Sequence, residues 1–185
     1  MGDECIMKRS EMIACQKEAV KYFERAGIVM TDSEKENIEV ADFGLNRVKN
    51  VGLQLVTYIN TQRVCAKEMV LFPGQSCPEH RHVDSYGFQG KEETFRCRWG
   101  KVYLYVDGEG EKDQIQAALP ESKVTVFKEI VLNPGEQYTL YPGTNHWFQG
   151  GPEGAVVSEF STRSTDETDV FTDPDIVRMP TIEED

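Results

Sequence analysis

The chain has 185 residues, of which 39% are hydrophobic and 28% are charged, so it can bury the core of one ordinary domain. Its formal net charge of −12 argues against a nucleic-acid or anionic-membrane partner, because both need a positive face. No apolar run reaches the roughly 20 residues of a membrane-spanning helix, and the acidic start lacks the layout of a secretory signal.

The N-terminal part of the chain predicts a helix over residues 10–26. Ile13, Val20 and Phe23 lie on one side of such a helix, and Gly27 follows as a C-cap. We expect this helix to pack outside the main body of the fold.

From about residue 51 the sequence predicts β structure. Short β-rich runs follow one another, divided by Gly and Pro turns, with no helical pattern between them. This pattern of short strands and turns is typical of an antiparallel sandwich or barrel. The predicted strands are 53–60, 64–72, 94–99, 102–106, 124–132, 137–141 and 155–162.

We interpret residues 1–185 as one domain. It has a helical extension at about 8–50, a barrel at about 51–165, and an acidic C-terminal segment at about 166–185 that is expected to lie along the surface. The cysteines form no CxxC pair, which predicts reduced thiols and a cytoplasmic location. They are Cys5, Cys15, Cys65, Cys77 and Cys97.

The histidines are the strongest chemical signal in the sequence. The chain contains three, and two of them form His80-Arg81-His82 after a turn, while His146 follows Pro142-Gly143. Residues two apart on a strand project from the same face, so both imidazoles of the first pair can converge on one point. The pattern predicts a divalent-metal site with nitrogen and oxygen ligands.

The spacing around these histidines resembles the two metal-binding motifs of the cupins. Five residues separate Gly74 from His80, and six residues separate Glu93 from Gly100. The gap between His82 and Glu93 is longer than the motif usually has, which leaves Glu92 open as an alternative ligand. The step to Gly100 favours Glu93, as does its alternation with Phe95, Cys97 and Trp99. The resemblance implies a mainly β cupin fold, a double-stranded β-helix or jelly-roll barrel, with the N-terminal helix packed outside.

Two charged residues occupy predicted inward positions. Alternation places Lys67 on the same side as Met69 and Leu71, and Glu159 on the same side as Val157. A buried charge is costly unless it has a partner or a task. An edge position or a solvent-facing register is the ordinary alternative for each residue, but the two together favour a functional pair.

The same positions resemble a narrower family, the cupin D-lyxose isomerases, over about residues 8–175. The resemblance implies a manganese-dependent aldose–ketose isomerase that acts as a homodimer. Its substrates would be D-lyxose and D-xylulose and, more weakly, D-mannose and D-fructose. Co²⁺, Fe²⁺, Ni²⁺ or Zn²⁺ are further candidates for the ion. The residues that carry the resemblance are Lys67, Pro78–His82, Lys91–Phe95, Pro142, His146, Glu159, Asp169, Asp173 and Pro174.

The resemblance also implies roles for these residues. Glu159 would move a proton between C1 and C2 of the sugar through a cis-enediol. Lys67 would donate to a sugar oxygen and hold Glu159 or the substrate, and Asp169 would bind hydroxyls or relay protons. The aromatic residues beside the third histidine could form an apolar wall against the sugar; they are Tyr141, Trp147 and Phe148. The expected metal ligands are His80, His82, Glu93 and His146.

Other functions remain open at this point. A cupin phosphosugar isomerase is the nearest alternative, but the sequence shows no Gly-rich phosphate cradle or Arg cluster. A cupin dioxygenase would use the same ligands with Fe(II), and a non-enzymatic sugar- or metal-binding cupin would need no acid–base pair. Glu159 with Lys67 favours the isomerase, because proton transfer at carbon needs a base over the substrate.

Overall fold

A computed structural model describes residues 6–179 and 181–185; Cys5 lies outside them. The first part of this region contains β1 (Ile6–Lys8), α1 (Arg9–Arg25), α2 (Asp32–Glu36), β2 (Glu39–Ala41), β3 (Leu53–Asn60), β4 (Cys65–Leu71) and β5 (Ser76–Arg81). The second part contains β6 (Glu93–Val106), β7 (Lys128–Leu132), β8 (Gln137–Leu140), β9 (His146–Ser161), β10 (Val170–Phe171) and β11 (Thr181–Glu183). None of the described helices has the length and apolar character needed to cross a membrane.

Strand β9 is the centre of the main sheet. Its first part pairs antiparallel with β5, its second part pairs antiparallel with β4, and β6 runs along its other edge. The sheet continues from β4 to β3 and β2, and β6 also pairs with β7 and β8. Inward-facing apolar side chains of these strands form one core cluster. The mainly β fold predicted from the turn pattern is therefore confirmed.

Two predicted strand breaks are bulges within longer strands. β6 passes through Gly100, where φ is 75° and a Cβ would lie 2.1 Å from the carbonyl oxygen of Gly154, so glycine is required there. A register shift between Cys97 and Trp99 turns Trp99 away from the core side, against the predicted alternation, and its ring packs edge-on against Tyr22. In β9, residues 151–154 lie opposite Lys101 alone, so Gly and Pro there mark a bulge and not a strand end.

Helix α1 packs outside the barrel, as predicted, but it uses a different face. Phe23 is fully buried as expected, whereas Ile13 is 37% exposed. The buried stripe runs through Cys15, Ala19 and Tyr22, which pack against the outer side of the sheet. Gly27 follows the helix in the left-handed conformation, with φ of 70°, as the C-cap prediction requires.

The predicted strand at residues 124–132 begins four residues late, at Lys128. The preceding segment is held by the buried carboxylate of Glu79, which accepts hydrogen bonds from the backbone N–H groups of Thr125 and Val126. The same carboxylate accepts a hydrogen bond from Thr172 of the C-terminal segment. Glu79 therefore binds two long segments to β5, a strand that was not among the predicted ones.

The C-terminal segment lies along the body of the protein. Within it, β10 pairs with β5, so that Phe171 lies opposite His80, and β11 pairs in parallel with β1. Between these strands the backbone N–H of Val177 donates to the carbonyl oxygen of Phe43. The segment thus reaches the end of the barrel that carries the histidines.

Candidate active site

The three histidines meet at one end of the barrel because of strand register. His80 lies near the end of β5 directly opposite His146, the first residue of β9, and His82 follows β5 by one residue. The ring centroids of His80 and His146 are 4.2 Å apart, and those of His80 and His82 are 5.0 Å apart. One nitrogen from each of the three rings lies within 4.8 Å of the others. The convergence predicted from the His-x-His spacing is therefore present.

Each imidazole is oriented by a contact at its Nδ1 atom. His80 Nδ1 lies 2.8 Å from the carbonyl oxygen of Pro78, and His146 Nδ1 lies 3.0 Å from that of Thr144. His82 Nδ1 lies 2.6 Å from Asp169 Oδ1. Partners of this kind fix ring orientation and tautomer in metal sites, and they leave Nε2 as the free ligand atom.

Of the two adjacent glutamates, Glu93 faces the histidines. Its side chain is 1% exposed, and its Oε1 atom lies 3.0 Å from His82 Nε2 and 3.1 Å from His146 Nε2. Glu92 is exposed on the opposite side of the chain. The geometry thus favours Glu93 over Glu92 as the carboxylate of the cluster.

The donor set fits a divalent ion. The buried His146 Nε2 atom lies 3.1 Å from Glu93 Oε1, but this contact lacks the geometry of a hydrogen bond. The atom has no other hydrogen-bond partner among residues 6–179 and 181–185. An unpaired buried ring nitrogen is unfavourable unless something binds it. Three imidazole nitrogens and one carboxylate form a borderline set that suits Mn²⁺, Fe²⁺, Co²⁺, Ni²⁺ or Zn²⁺.

The charges around the cluster hold Glu93 as an anion. Burial raises its pKa, but Lys91 and His82 oppose burial and keep that pKa well below the ordinary value. Burial and Lys91 lower the pKa of His82, yet Glu93 and Asp169 outweigh them and raise it to about 9. Burial and the other two histidines lower the pKa of His80 well below its ordinary value, and they outweigh Pro78 and Glu93, which raise it. A divalent cation bound at the Nε2 atoms of the three histidines would replace the proton that the raised pKa of His82 favours.

Lys91 is a site residue that the sequence analysis did not assign. Its buried ammonium lies 2.8 Å from Glu93 Oε2 and 3.1 Å from Glu159 Oε1. Burial disfavours its charge, but Glu159, Glu93 and Asp166 outweigh burial and raise the pKa of Lys91 well above its ordinary value. The available signal was its position two residues before Glu93, the spacing that puts side chains on one face of an extended chain.

Lys67 and Glu159 face each other across β4 and β9, as their predicted registers require. Both are buried, and Lys67 Nζ lies 3.7 Å from Glu159 Oε1. The nearer partner of Lys67 is Asp166, whose Oδ2 atom lies 2.6 Å from Nζ. Glu159 instead accepts hydrogen bonds from Lys91 and from Ser161 Oγ. Asp166 lies in an acidic loop that gave no sequence signal to separate it from its solvated neighbours.

Asp169 lies against His82 and also lines the cavity beside the histidines. Burial raises the pKa of its carboxyl, and the nearby His82 opposes that rise. The contact with His82 Nδ1 gives it a positioning role that the sequence analysis did not predict. Its predicted role toward sugar hydroxyls remains a proposal.

The cavity has an apolar wall that includes one of the three predicted aromatic residues. Phe148 lines it, whereas Trp147 is fully buried elsewhere, stacked on Tyr105, and Tyr141 is 65% exposed. The space between its walls, including the part open to solvent, is about 390 Å³. The other apolar residues of the wall are Phe43, Leu53, Leu55, Met69, Phe95 and Phe171.

An antiparallel barrel in which three imidazoles converge beside a buried carboxylate defines a cupin-like site. The profile of the D-lyxose isomerase family matches residues 32–185. The D-lyxose ketol-isomerase of Cohnella laeviribosi is 60% identical over 182 residues, which cover 97% of this chain and 100% of that protein. The D-lyxose/D-mannose isomerase of Thermosediminibacter oceani is 57% identical, with coverage of 97% and 100%. The chain belongs to the D-lyxose isomerase family and is an isomerase.

Solved structures support the fold. L-ribose isomerase of Acinetobacter sp. DL28, solved with L-ribose, superposes with a TM-score of 0.75 at 14% identity, over 97% of this chain and 99% of that one. L-ribose isomerase of Geodermatophilus obscurus gives a TM-score of 0.75 at 16% identity, with coverage of 98% and 100%. The predicted cupin-like fold with an external helix is confirmed.

Proposed function

We propose that this chain is a metal-dependent aldose–ketose isomerase that interconverts D-lyxose and D-xylulose and acts more weakly on D-mannose and D-fructose. The names of its relatives support this substrate class. The observation that carries the proposal is that Glu159 and Lys91 line the same cavity as Glu93 and two histidines of the cluster, His80 and His82.

His80, His82, Glu93 and His146 are the residues that would hold the ion, which we propose is Mn²⁺. Their donor set also suits Co²⁺, Fe²⁺, Ni²⁺ or Zn²⁺. When bound, a divalent ion supplies Lewis-acid polarisation of a carbonyl oxygen. The contacts at the Nδ1 atoms keep the Nε2 atoms directed at one position, so the protein does not have to reorganise when the ion binds.

Glu159 is proposed to carry the proton between carbons. It would take the proton from C2 of the aldose and return it to C1, while the proton of the C2 hydroxyl passes to the oxygen on C1. One base serving both carbons from the same side of the sugar corresponds to a cis-enediol. Lys91 holds the Glu159 carboxylate in place, and Lys67, which lines the cavity, would donate to a sugar oxygen. Phe148 and the other apolar walls exclude water from the reacting carbons.

The test is turnover of a panel of free and phosphorylated aldoses by the purified protein, metal-free and with Mn²⁺, in ²H₂O. We expect turnover of D-lyxose to require the metal and to leave ²H at C2 of the recovered aldose or C1 of the ketose. Turnover of phosphorylated sugars only would contradict the proposed substrate. Turnover without any ²H incorporation would contradict proton transfer by an exchanging base.

We also propose that the protein works in the cytoplasm as a homodimer. Ile59, Ala66 and Phe160 lie opposite one another across β3, β4 and β9 on the outer side of the sheet. Ile59 is 47% exposed and Phe160 is 52% exposed, an apolar row suited to a second copy. The cysteines at 15, 65, 77 and 97 are buried free thiols, in keeping with a reducing compartment. Light scattering on a size-exclusion column measures the mass, and a monomer at micromolar concentration would contradict the dimer.

A further inference from the structure

Asn60, at the end of β3, binds the backbone of a residue that is 104 positions further along the chain. Its Nδ2 atom donates to the carbonyl oxygen of Ser164 at 3.0 Å, and the backbone N–H of Ser164 donates to its Oδ1 atom at 3.1 Å. This reciprocal pair satisfies both backbone groups of Ser164, as a neighbouring strand would. Asn60 itself is exposed, and it does not line the cavity.

The side chain of Ser164 lies on the inner side of this contact, among the buried charges. Its hydroxyl accepts a hydrogen bond from Lys67 Nζ at 2.9 Å and donates to Asp166. Lys67 Nζ also donates to Asp166 Oδ2 at 2.6 Å. An ammonium has three N–H donors, so these two bonds use most of its capacity.

Ser164 affects how close Lys67 can come to Glu159. With Ser164 in place, Lys67 is bonded to Ser164 and Asp166 and stays 3.7 Å from Glu159 Oε1. If Ser164 moved away, one N–H donor of Lys67 would be free, and Glu159 is an acceptor within its reach. Glu159 already accepts one hydrogen bond from the Lys91 ammonium, and a second ammonium bond would make it a weaker proton acceptor.

We infer that Asn60 is a positioning residue for the isomerase reaction: through Ser164 it keeps Lys67 on Asp166 and away from Glu159. This inference rests on the proposed function, because it assumes that Glu159 is the base. It makes a residue of the β3–β4 hairpin, outside the cavity, a determinant of turnover.

The first test is Asn60→Ala, with Gln62→Ala in the same hairpin as the matched control. Gln62 is exposed and makes no side-chain hydrogen bond to any described residue. Loss of a positioning contact should lower kcat for D-lyxose about three- to tenfold, the size expected when one or two hydrogen bonds to a reacting group are disturbed. KM and bound metal should remain close to those of the wild type, and any fall in the melting temperature should leave the variant fully folded at the assay temperature. Gln62→Ala should match the wild type in every measurement.

The second test is a double-mutant cycle with Ser164→Ala, because a residue that acts through Ser164 has no further effect once the hydroxyl is gone. We expect Asn60→Ala to change kcat by less than about twofold in the Ser164→Ala background. A full, independent loss in that background would overturn the inference, as would wild-type kcat in Asn60→Ala. A loss that follows the melting temperature or metal content would show a structural role and would also overturn it.

A further variant guards against poor folding. Asn60→Asp keeps the acceptor for Ser164 N–H but cannot donate to its carbonyl oxygen, so kcat should again fall, and wild-type kcat would contradict the inference. Turnover of D-lyxose by the wild type, with ²H incorporation, distinguishes failure of the two proposals. If the wild type shows no such turnover, the proposed function is wrong. If the wild type shows it and the Asn60 variants have wild-type kcat, only the positioning role is wrong.

Discussion

Glu93 is held as an anion before any cation arrives, because Lys91 contacts one of its oxygens and His82 the other. The cluster therefore offers a charged ligand at neutral pH without first losing a proton from this carboxylate. The lysine also offsets the repulsion between Glu93 and Glu159, since it bridges the two side chains. At the scale of single residues, the proposed metal ligand Glu93 and the proposed base Glu159 thus share the ammonium of Lys91.

Replacement of Glu159 by Gln separates chemistry from binding. The amide keeps the size and can still accept from Ser161, but it cannot take a proton from carbon. We expect kcat to fall about 10²- to 10⁴-fold, with bound metal and fold retained. Steady-state kinetics with elemental analysis measure both. Glu68→Gln is the control, because Glu68 neighbours Lys67 on the other face of β4, and it should keep its activity. An active Glu159→Gln variant would contradict the mechanism.

Replacement of Glu93 or Glu92 by Gln distinguishes the two candidate carboxylates. Glu93→Gln removes the anion beside His82 and His146 and should strip most of the metal and activity. Glu92→Gln alters an exposed side chain and should leave both unchanged. Metal titration of the metal-free variants measures the difference. Metal loss in Glu92→Gln with full binding in Glu93→Gln would reverse the assignment.

Asp169→Asn tests the contact with His82. The amide oxygen can still accept from Nδ1, but the charge that supports the imidazole is lost, and such changes weaken metal affinity about 10- to 100-fold. Competition with a chelator measures the affinity. If Asp169 instead acts on sugar hydroxyls, KM for the sugar will rise while metal affinity stays constant, and the positioning role will be wrong.

At the scale of elements, the sequence predicts the side-chain directions that depend on local spacing. It does not predict the ones that depend on how a strand or helix packs against another element. Lys67 and Glu159 were assigned inward because period-two alternation survives in the regular pairing of β4 and β9. Trp99 was misplaced because a bulge shifts the register within β6, and bulges depend on the partner strand. Ile13 was misplaced because the helix offers two apolar stripes, and only the sheet decides which is covered. Asp166 could not be assigned, since its partners come from distant segments.

Glu79 gives an element-scale prediction, because one buried carboxylate fastens the segment before β7 and the C-terminal segment to β5. Glu79→Ala leaves the N–H groups of Thr125 and Val126 without their acceptor. We expect the free energy of unfolding to fall by about 1–3 kcal/mol, because the buried N–H of Val126 loses its acceptor, whereas Thr125 is exposed and can bind water. Urea unfolding measures it. Glu153→Ala on the exposed bulge of β9 is the control, and an equal change in both variants would contradict this role.

At the scale of the whole molecule, Asp166 connects the C-terminal segment to the barrel through Lys67 and Lys91, and it also pairs with Arg178 within the same segment. Burial opposes its charge, but these cations hold its pKa well below the ordinary value. A depressed carboxyl pKa contributes stability above the unfolded value of about 3.9, and this stability is lost as the pH falls through the folded pKa.

Asp166→Asn should therefore destabilise the metal-free protein most at neutral pH, on the order of 3 kcal/mol, because the three cations lose their anion. The difference from the wild type should shrink as the pH falls below about 4. Urea unfolding between pH 3 and pH 7 measures it, with the exposed Asp113→Asn as the control. A difference that is constant with pH would contradict the ion-pair account.

The position of the C-terminal segment also affects the order in which the site is completed during synthesis. The histidines, Glu93 and Glu159 all precede Ser164, whereas Asp169, Phe171 and Arg178 follow it and line the same cavity. Synthesis runs from the N-terminus, so a nascent barrel carries its buried charges before the groups that neutralise and cover them have left the ribosome. The catalytic centre is completed late, and a translation product that stops near residue 164 would hold every proposed metal ligand yet lack the partner of His82.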